Sequence, residues 1–226
     1  MRAPMQTAIA GALVLALAPA TAFASFHLMQ IERVTAGANG DVDRQAIQLR
    51  MRTSGQNLVT NGRVVAWDAA GQNPVVVGSF DAVVANADTG DRILLATAEF
   101  EADPELLPDF LMARPIPEHY LDAGRLTFEA HGGLIYWSLC WGGAGYTGST
   151  TGSPTNDLDG EFGPCYPHAL PARGRDALVF TGAAGDVSTD NASDYAVTDG
   201  VGEFTNNARE SSLVSNTVVF ADGMDR

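Results

Sequence analysis

The chain has no lysine: all 13 of its basic residues are arginine, and they face 27 acidic residues. A net charge of −14 repels polyphosphates and anionic headgroups, which argues against nucleic acid and acidic membranes as partners. Without lysine there is also no phosphate-binding P-loop, so Gly148-Ser149-Thr150-Thr151-Gly152 reads as a plain loop. Histidine is scarce. His27, His119, His131 and His168 show no zinc-ligand spacing and no His-Glu-x-x-His run. A Gly-x-Ser-x-Gly nucleophile elbow is missing as well. No segment repeats at a fixed interval, which argues against a propeller or solenoid. The one long apolar run, Ile9 to Leu17, is too short to span a bilayer.

That run has a different meaning. Arg2 precedes it and Ala22-Phe23-Ala24 follows, the charged start, apolar middle and small-residue cleavage site of a secretory signal peptide. Residues 1–24 are therefore expected to be removed, leaving Ser25 first. Loss of Arg2 leaves 12 arginines against 27 acids, a net charge of −15. The expected location is outside the cytoplasm: periplasmic, secreted or on the cell surface, with no transmembrane segment in the mature chain. In that oxidising setting an even thiol count predicts one disulfide, Cys140–Cys165. A catalytic pairing of Cys165 with His168 is the competing reading, and export weighs against it.

Apolar residues recur with period two. Ile47, Leu49 and Met51 alternate with Gln48, Arg50 and Arg52, the pattern of an antiparallel strand with one face in a core. Similar runs cover 63–68, 74–80, 92–98, 126–129, 134–141, 177–181 and 195–198. Ile135, Trp137, Leu139 and Trp141 are expected to share the core face, with Tyr136 and Ser138 opposite. Pro104, Pro108, Pro115 and Pro117 interrupt residues 99–124 and leave room for one helical turn at 117–121. Residues 142–171 form a long loop rich in Gly, Ser, Thr, Asn and Asp, and such loops are often functional. Residues 200–212 are polar, with 206–212 read as a linker, and 214–220 read as a last strand or a tail. Short strands with turn signals every ten residues or so predict an all-β protein, a mostly antiparallel β-sandwich with long loops.

Several segments in order resemble the lamin tail domain, an immunoglobulin-like sandwich found in many exported bacterial proteins. They are Phe26-His27-Leu28-Met29-Gln30-Ile31-Glu32 with the following 45–51 strand, Val64-Val65-Ala66-Trp67-Asp68-Ala69-Ala70-Gly71, Gly133 to Gly142, and Asn191-Ala192-Ser193-Asp194-Tyr195. The likeness runs over residues 26–207 of an expected 25–207 domain, with 208–226 as linker and tail. Two departures stand out: no Asn-Glu follows the first strand, and Trp137 or its neighbours stand where the family has Asp. The resemblance implies an immunoglobulin-like fold and a binding or scaffolding habit, and no catalytic residue. Phe220-Ala221-Asp222-Gly223-Met224-Asp225 also resembles a Phe-x-Asp-Gly-Phe-Glu ending of exported Gram-negative proteins.

One run offers metal chemistry. Asn156, Asp157, Asp159 and Glu161 bring oxygen side chains to a turn around Gly160, as a Ca²⁺ loop does, although Tyr166 stands where an EF-hand needs its last Glu. Asp186, Asp190 and Asp194 form a second, similar cluster. Both patterns also suit polar turns in which Asn and Asp bond their own backbone. The function expected from the sequence is a non-catalytic exported binding or surface-associated module, engaging an unknown protein or extracellular ligand and needing no cofactor. The alternatives are an extracellular hydrolase built on the 142–171 loop, with His168, Glu161 and Asp159 in one deep pocket, and a Ca²⁺-stabilised structural domain.

Overall fold

A computed structural model describes residues 26–216. The expected signal peptide at 1–24, the expected start at Ser25 and the 217–226 ending lie outside the described residues. The described chain is all-β. Its thirteen strands are β1 (Met29–Thr35), β2 (Ala46–Met51), β3 (Gly62–Trp67), β4 (Val75–Ser79), β5 (Arg92–Ala96), β6 (Ala102–Asp103), β7 (Phe110–Leu111), β8 (Gly124–Ala130), β9 (Ile135–Trp141), β10 (Leu178–Phe180), β11 (Tyr195–Val197), β12 (Glu203–Thr205) and β13 (Ser211–Val214). One helical turn, α1, covers Asn191–Asp194, and the expected turn before Leu121 is a 3-10 turn at Glu118–Tyr120.

The strands form a six-stranded sheet in the order β11-β10-β1-β2-β5-β7, a four-stranded sheet β4-β3-β8-β9, and a small sheet β12-β13-β6. Every pairing is antiparallel except β5 with β7. The two larger sheets bury one continuous core. Ile31, Ile47, Leu49, Ile93 and Leu178 come from the first, and Val64, Leu126, Phe128, Trp137 and Leu139 from the second. This is a sandwich, built by the alternation that puts every second side chain on the same face. The sheets close so tightly at β4 that a Cβ on Gly78 would lie 2.6 Å from the Leu95 side chain, which would have to shift to admit any larger residue.

Register slips interrupt the simple alternation at three places, one of them between Val64 and Val65 where β3 meets β4. In β9, Trp137, Leu139 and Trp141 face the core and Ser138 faces away, as expected. The register then slips between Phe128 and Glu129, so Glu129 pairs with Ile135. The extra residue turns Ile135 to the outer face, and Tyr136 packs against the core edge at Phe26 and Phe128. A second slip between Ile31 and Arg33 leaves Glu32 unpaired in β1.

The outer face of the six-stranded sheet is not solvated. The small sheet covers it, and Leu94, Ala96, Phe100, Leu106, Phe204 and Val214 make a second apolar cluster there. This corrects the linker reading of 206–212 and, as far as the described residues go, of the 208–226 linker and tail. Phe204 and Val214 need a partner and find one, since β13 pairs with β6 as well as β12. Asn206 and Asn207 are buried in the connecting corner. Their polarity serves backbone groups: Asn207 exchanges amide hydrogen bonds with Asn86 and donates to Arg92 O, and Asp109 accepts from Asn207 N and Leu94 N.

Candidate functional site

Strand register puts the start of β1, the end of β2 and the start of β5 at one end of the sandwich, since Met29 pairs with Met51 and Arg50 with Arg92. The loops gathered there are 52–58, 81–91, 153–160, 183–189 and 206–209. The 142–171 loop leaves β9 at the opposite end, runs along the four-stranded sheet to reach this one, and returns.

Its two ends are tied. Cys140 and Cys165 form the expected disulfide, with a Cα–Cα separation of 4.9 Å, and both are buried beside Tyr146. The thiols are thereby removed as nucleophiles, which sets aside the Cys165–His168 pairing. Arg125 on β8 holds the loop midway: it donates to Ser138 Oγ at 2.8 Å and to the Thr151 carbonyl. Burial pushes its pKa down from the ordinary arginine value.

The far tip is clamped by Arg52. Its guanidinium lies 5.3 Å from the Trp137 ring, donates to Asn156 O at 2.5 Å, and donates to the Asp186 carbonyl. One side chain thus joins the 153–160 loop to the 183–189 loop. Desolvation lowers its pKa, and nearby Asp186 and Asp157 partly offset that shift. Beneath the clamp, Trp137 Nε1 donates to the Tyr195 hydroxyl at 2.8 Å, and that hydroxyl donates to Ile31 O, so both sheets and the loops share one polar thread.

The oxygens offered to Ca²⁺ are engaged by hydrogen-bond donors of the protein itself. Asn156 is buried; its Nδ2 donates to His27 O and Tyr136 O, and its Oδ1 accepts from Arg52 at 3.3 Å. Asp157, also buried, accepts from Thr189 N at 2.5 Å and Asp159 N at 3.3 Å. Asp159 accepts from Glu161 N, and Glu161 accepts from Thr150 Oγ1 at 3.1 Å. Burial raises the Asp157 pKa, while the Glu161 N–H lowers that of Asp159. The second cluster is spent likewise: Asp190 caps α1 through Ala192 N and Ser193 N, Asp194 accepts from Asp190 N, and Asp186 accepts from Ser188 N. Among the described residues no three His, Cys, Asp or Glu side chains converge to hold a metal ion.

Three larger clefts mark the surface. One of about 720 Å³ at the opposite end lies among Glu118, Leu121, Asp122, Leu170, Arg173 and Asp176. A second, about 710 Å³, is edged by Leu106, Leu107, Leu111 and Ser215. The third, about 530 Å³, lies at the loop end beside the 88–91 turn and is lined by Arg50, Arg92 and Arg209 with Thr89, Thr205 and Ser211. His168, Glu161 and Asp159 line none of the three; His168 is exposed and packs edge-on to Tyr166. The arginine-lined cleft escaped the sequence reading because its three cations are far apart in the chain. No family model matches this sequence, and no curated protein matches it significantly.

Proposed function

We propose that the chain is an exported, non-catalytic binding module, an immunoglobulin-like sandwich of the lamin tail kind that presents contacts from the loop end bearing Arg50 and Arg52. The observation that carries this reading is the way those loops are held. A disulfide, the half-buried Arg52 and the buried Asn156 fix loops that sequence alone would leave free. Fixing loops before a ligand arrives lowers the ordering cost of binding, which is what a recognition surface gains from such anchors. The disulfide also favours an oxidising compartment. No described helix is long and apolar enough to cross a membrane. The segment order that resembles the lamin tail domain supports the family assignment.

The test has two arms. Expressed as the full chain in a Gram-negative host, the protein should be recovered outside the cytoplasm with neither cysteine open to alkylation until reductant is added. Retention in the cytoplasm with both thiols free would overturn export. The purified protein should leave ester, glycoside and phosphoester substrates unchanged. Turnover that disappears in His168→Ala would replace the binding reading with a hydrolase.

A further inference from the structure

The arginine-lined cleft departs from what stability alone favours. Arg50 and Arg92 stand directly opposite one another on β2 and β5, and like charges in that position repel. Arg209 closes the cleft from a backbone φ of 67°, a left-handed conformation that a non-glycine residue adopts at some cost. Such local penalties concentrate where a site has work beyond folding.

The charge pairing is uneven. The β1 bulge aims Glu32 between the two strands, where it accepts from Arg92 at 2.7 and 3.1 Å and from Gln48 at 2.7 Å. Arg209 is matched by Asp91 and Asp88, at 2.8 and 2.6 Å. Arg50 is left with a long ion pair, 3.7 Å from its Nε to Glu32, and that Nε has no hydrogen-bond partner. Its guanidinium lies along the turn at Gly90, where a Cβ would sit 3.7 Å from one of its terminal nitrogens. That Nε is buried, so the guanidinium offers the cleft its two terminal nitrogens, a planar pair that matches a carboxylate in two-point contact at the wall of a cleft of about 530 Å³.

We propose that this cleft binds a carboxylate carried on a small hydroxylated ligand, the uronic-acid unit of an acidic saccharide being the class it fits. The proposal rests on the binding-module reading and gives it a ligand. Arg50 receives the carboxylate. Thr205 and Ser211, whose hydroxyls face each other at 2.8 Å across β12 and β13, keep lone pairs for sugar hydroxyls, and Thr89 adds another hydroxyl. Asp88 and Asp91 stay in the cleft as fixed negative charges, which disfavour a dianion and so select a monoanionic carboxylate over a phosphate.

Calorimetric titration of the full chain with sodium glucuronate tests it, with glucose and glucose 6-phosphate as comparison ligands. Glucuronate should bind, glucose should not, and the phosphate should bind at least tenfold more weakly than glucuronate. Arg50→Gln should weaken glucuronate binding at least tenfold, and Arg50→Lys should recover only part of it, while both variants keep the parent melting temperature. No binding of glucuronate up to about 10 mM by the folded protein would overturn the proposal, since even weak charge-assisted sites register there. Binding unchanged in Arg50→Gln, or equal binding of the phosphate, would overturn it too. An exported, disulfide-bonded, non-hydrolytic protein that ignores glucuronate would sink the cleft and leave the binding-module reading standing.

Discussion

The two faces of the six-stranded sheet are both buried, yet they are built from different materials. Toward the four-stranded sheet every contributor is apolar or aromatic, with Trp137, Phe128 and Phe80 among the largest fully buried side chains. Toward the small sheet, Leu94, Phe204 and Val214 share the space with Gln30, Gln48, Glu32 and the corner asparagines, all of them buried. The first face is held by apolar area removed from water. The second is held in large part by specific hydrogen bonds, such as those of Gln48, which donates to Glu32 and accepts from Thr205 N at 2.6 Å. A face of the first kind tolerates local change in proportion to lost volume. A face of the second kind is sensitive to single unpaired atoms.

The sharpest way to break this contrast is to truncate each face in turn. Trp137→Ala should lower stability in urea by about 3–5 kcal/mol, because the ring is fully buried between the sheets and large aromatic deletions leave cavities. A loss below about 1 kcal/mol would mean that the core is not where the structure puts it. Phe204→Ala should follow, at about 3 kcal/mol, in a single transition with unchanged denaturant slope. Two separate transitions would show the small sheet to be an independent cover instead of the third layer of one cooperative unit.

The contrast also explains what could be read from the sequence. Strands β2, β3, β4, β5, β8, β9, β10 and β11 follow the period-two runs because their inner faces meet one large apolar core. The disulfide followed from counting cysteines. What escaped was everything whose signal is not periodic. Strands β6 and β7 are two residues long and have no period to read. Gln48 looks like part of a solvent face, since nothing in its own strand says that residues 203–214 will cover it. The polar run from Asn206 to Ser212 looks like linker, although its first two asparagines are buried bonding the backbone. Arg50, Arg92 and Arg209 converge only through topology, and the bulge that aims Glu32 between two of them is a register event that alternation cannot foresee.

A gain is expected where the polar face is incompletely paired. Gln30 is buried, and neither its amide nitrogen nor its amide oxygen has a hydrogen-bond partner. Replacing it with methionine, of similar shape, removes two unsatisfied groups and should raise stability by about 1–2 kcal/mol, read from the urea midpoint. A loss of similar size would mean that the amide is satisfied after all, by water, and that this face is as fully paired as the asparagine corner.

The smallest effect is electrostatic and has a direction that depends on pH. Hydrogen bonds from Arg209 hold the Asp91 carboxyl below the usual aspartate range. Its folded pKa therefore lies under its unfolded value of about 3.9, and the stability it contributes is present above that value and disappears as the pH falls through the folded pKa. Arg209 is half exposed, so screening keeps the pair modest. Asp91→Asn should cost about 1 kcal/mol at neutral pH, with the cost constant down to about pH 5 and vanishing in stronger acid. Asp109, on the same layer, runs the other way. Burial raises its pKa, so its contribution is complete below the unfolded value and is lost as the pH rises through the folded one. Urea midpoints of the parent and Asp91→Asn across a pH series separate the two, because the Asp109 term is common to both proteins and cancels. A difference that persists undiminished in strong acid would assign the loss to the hydrogen bond from Asp88 N, not to the charge. The Arg209 turn would then be held as the asparagine corner is, by geometry alone.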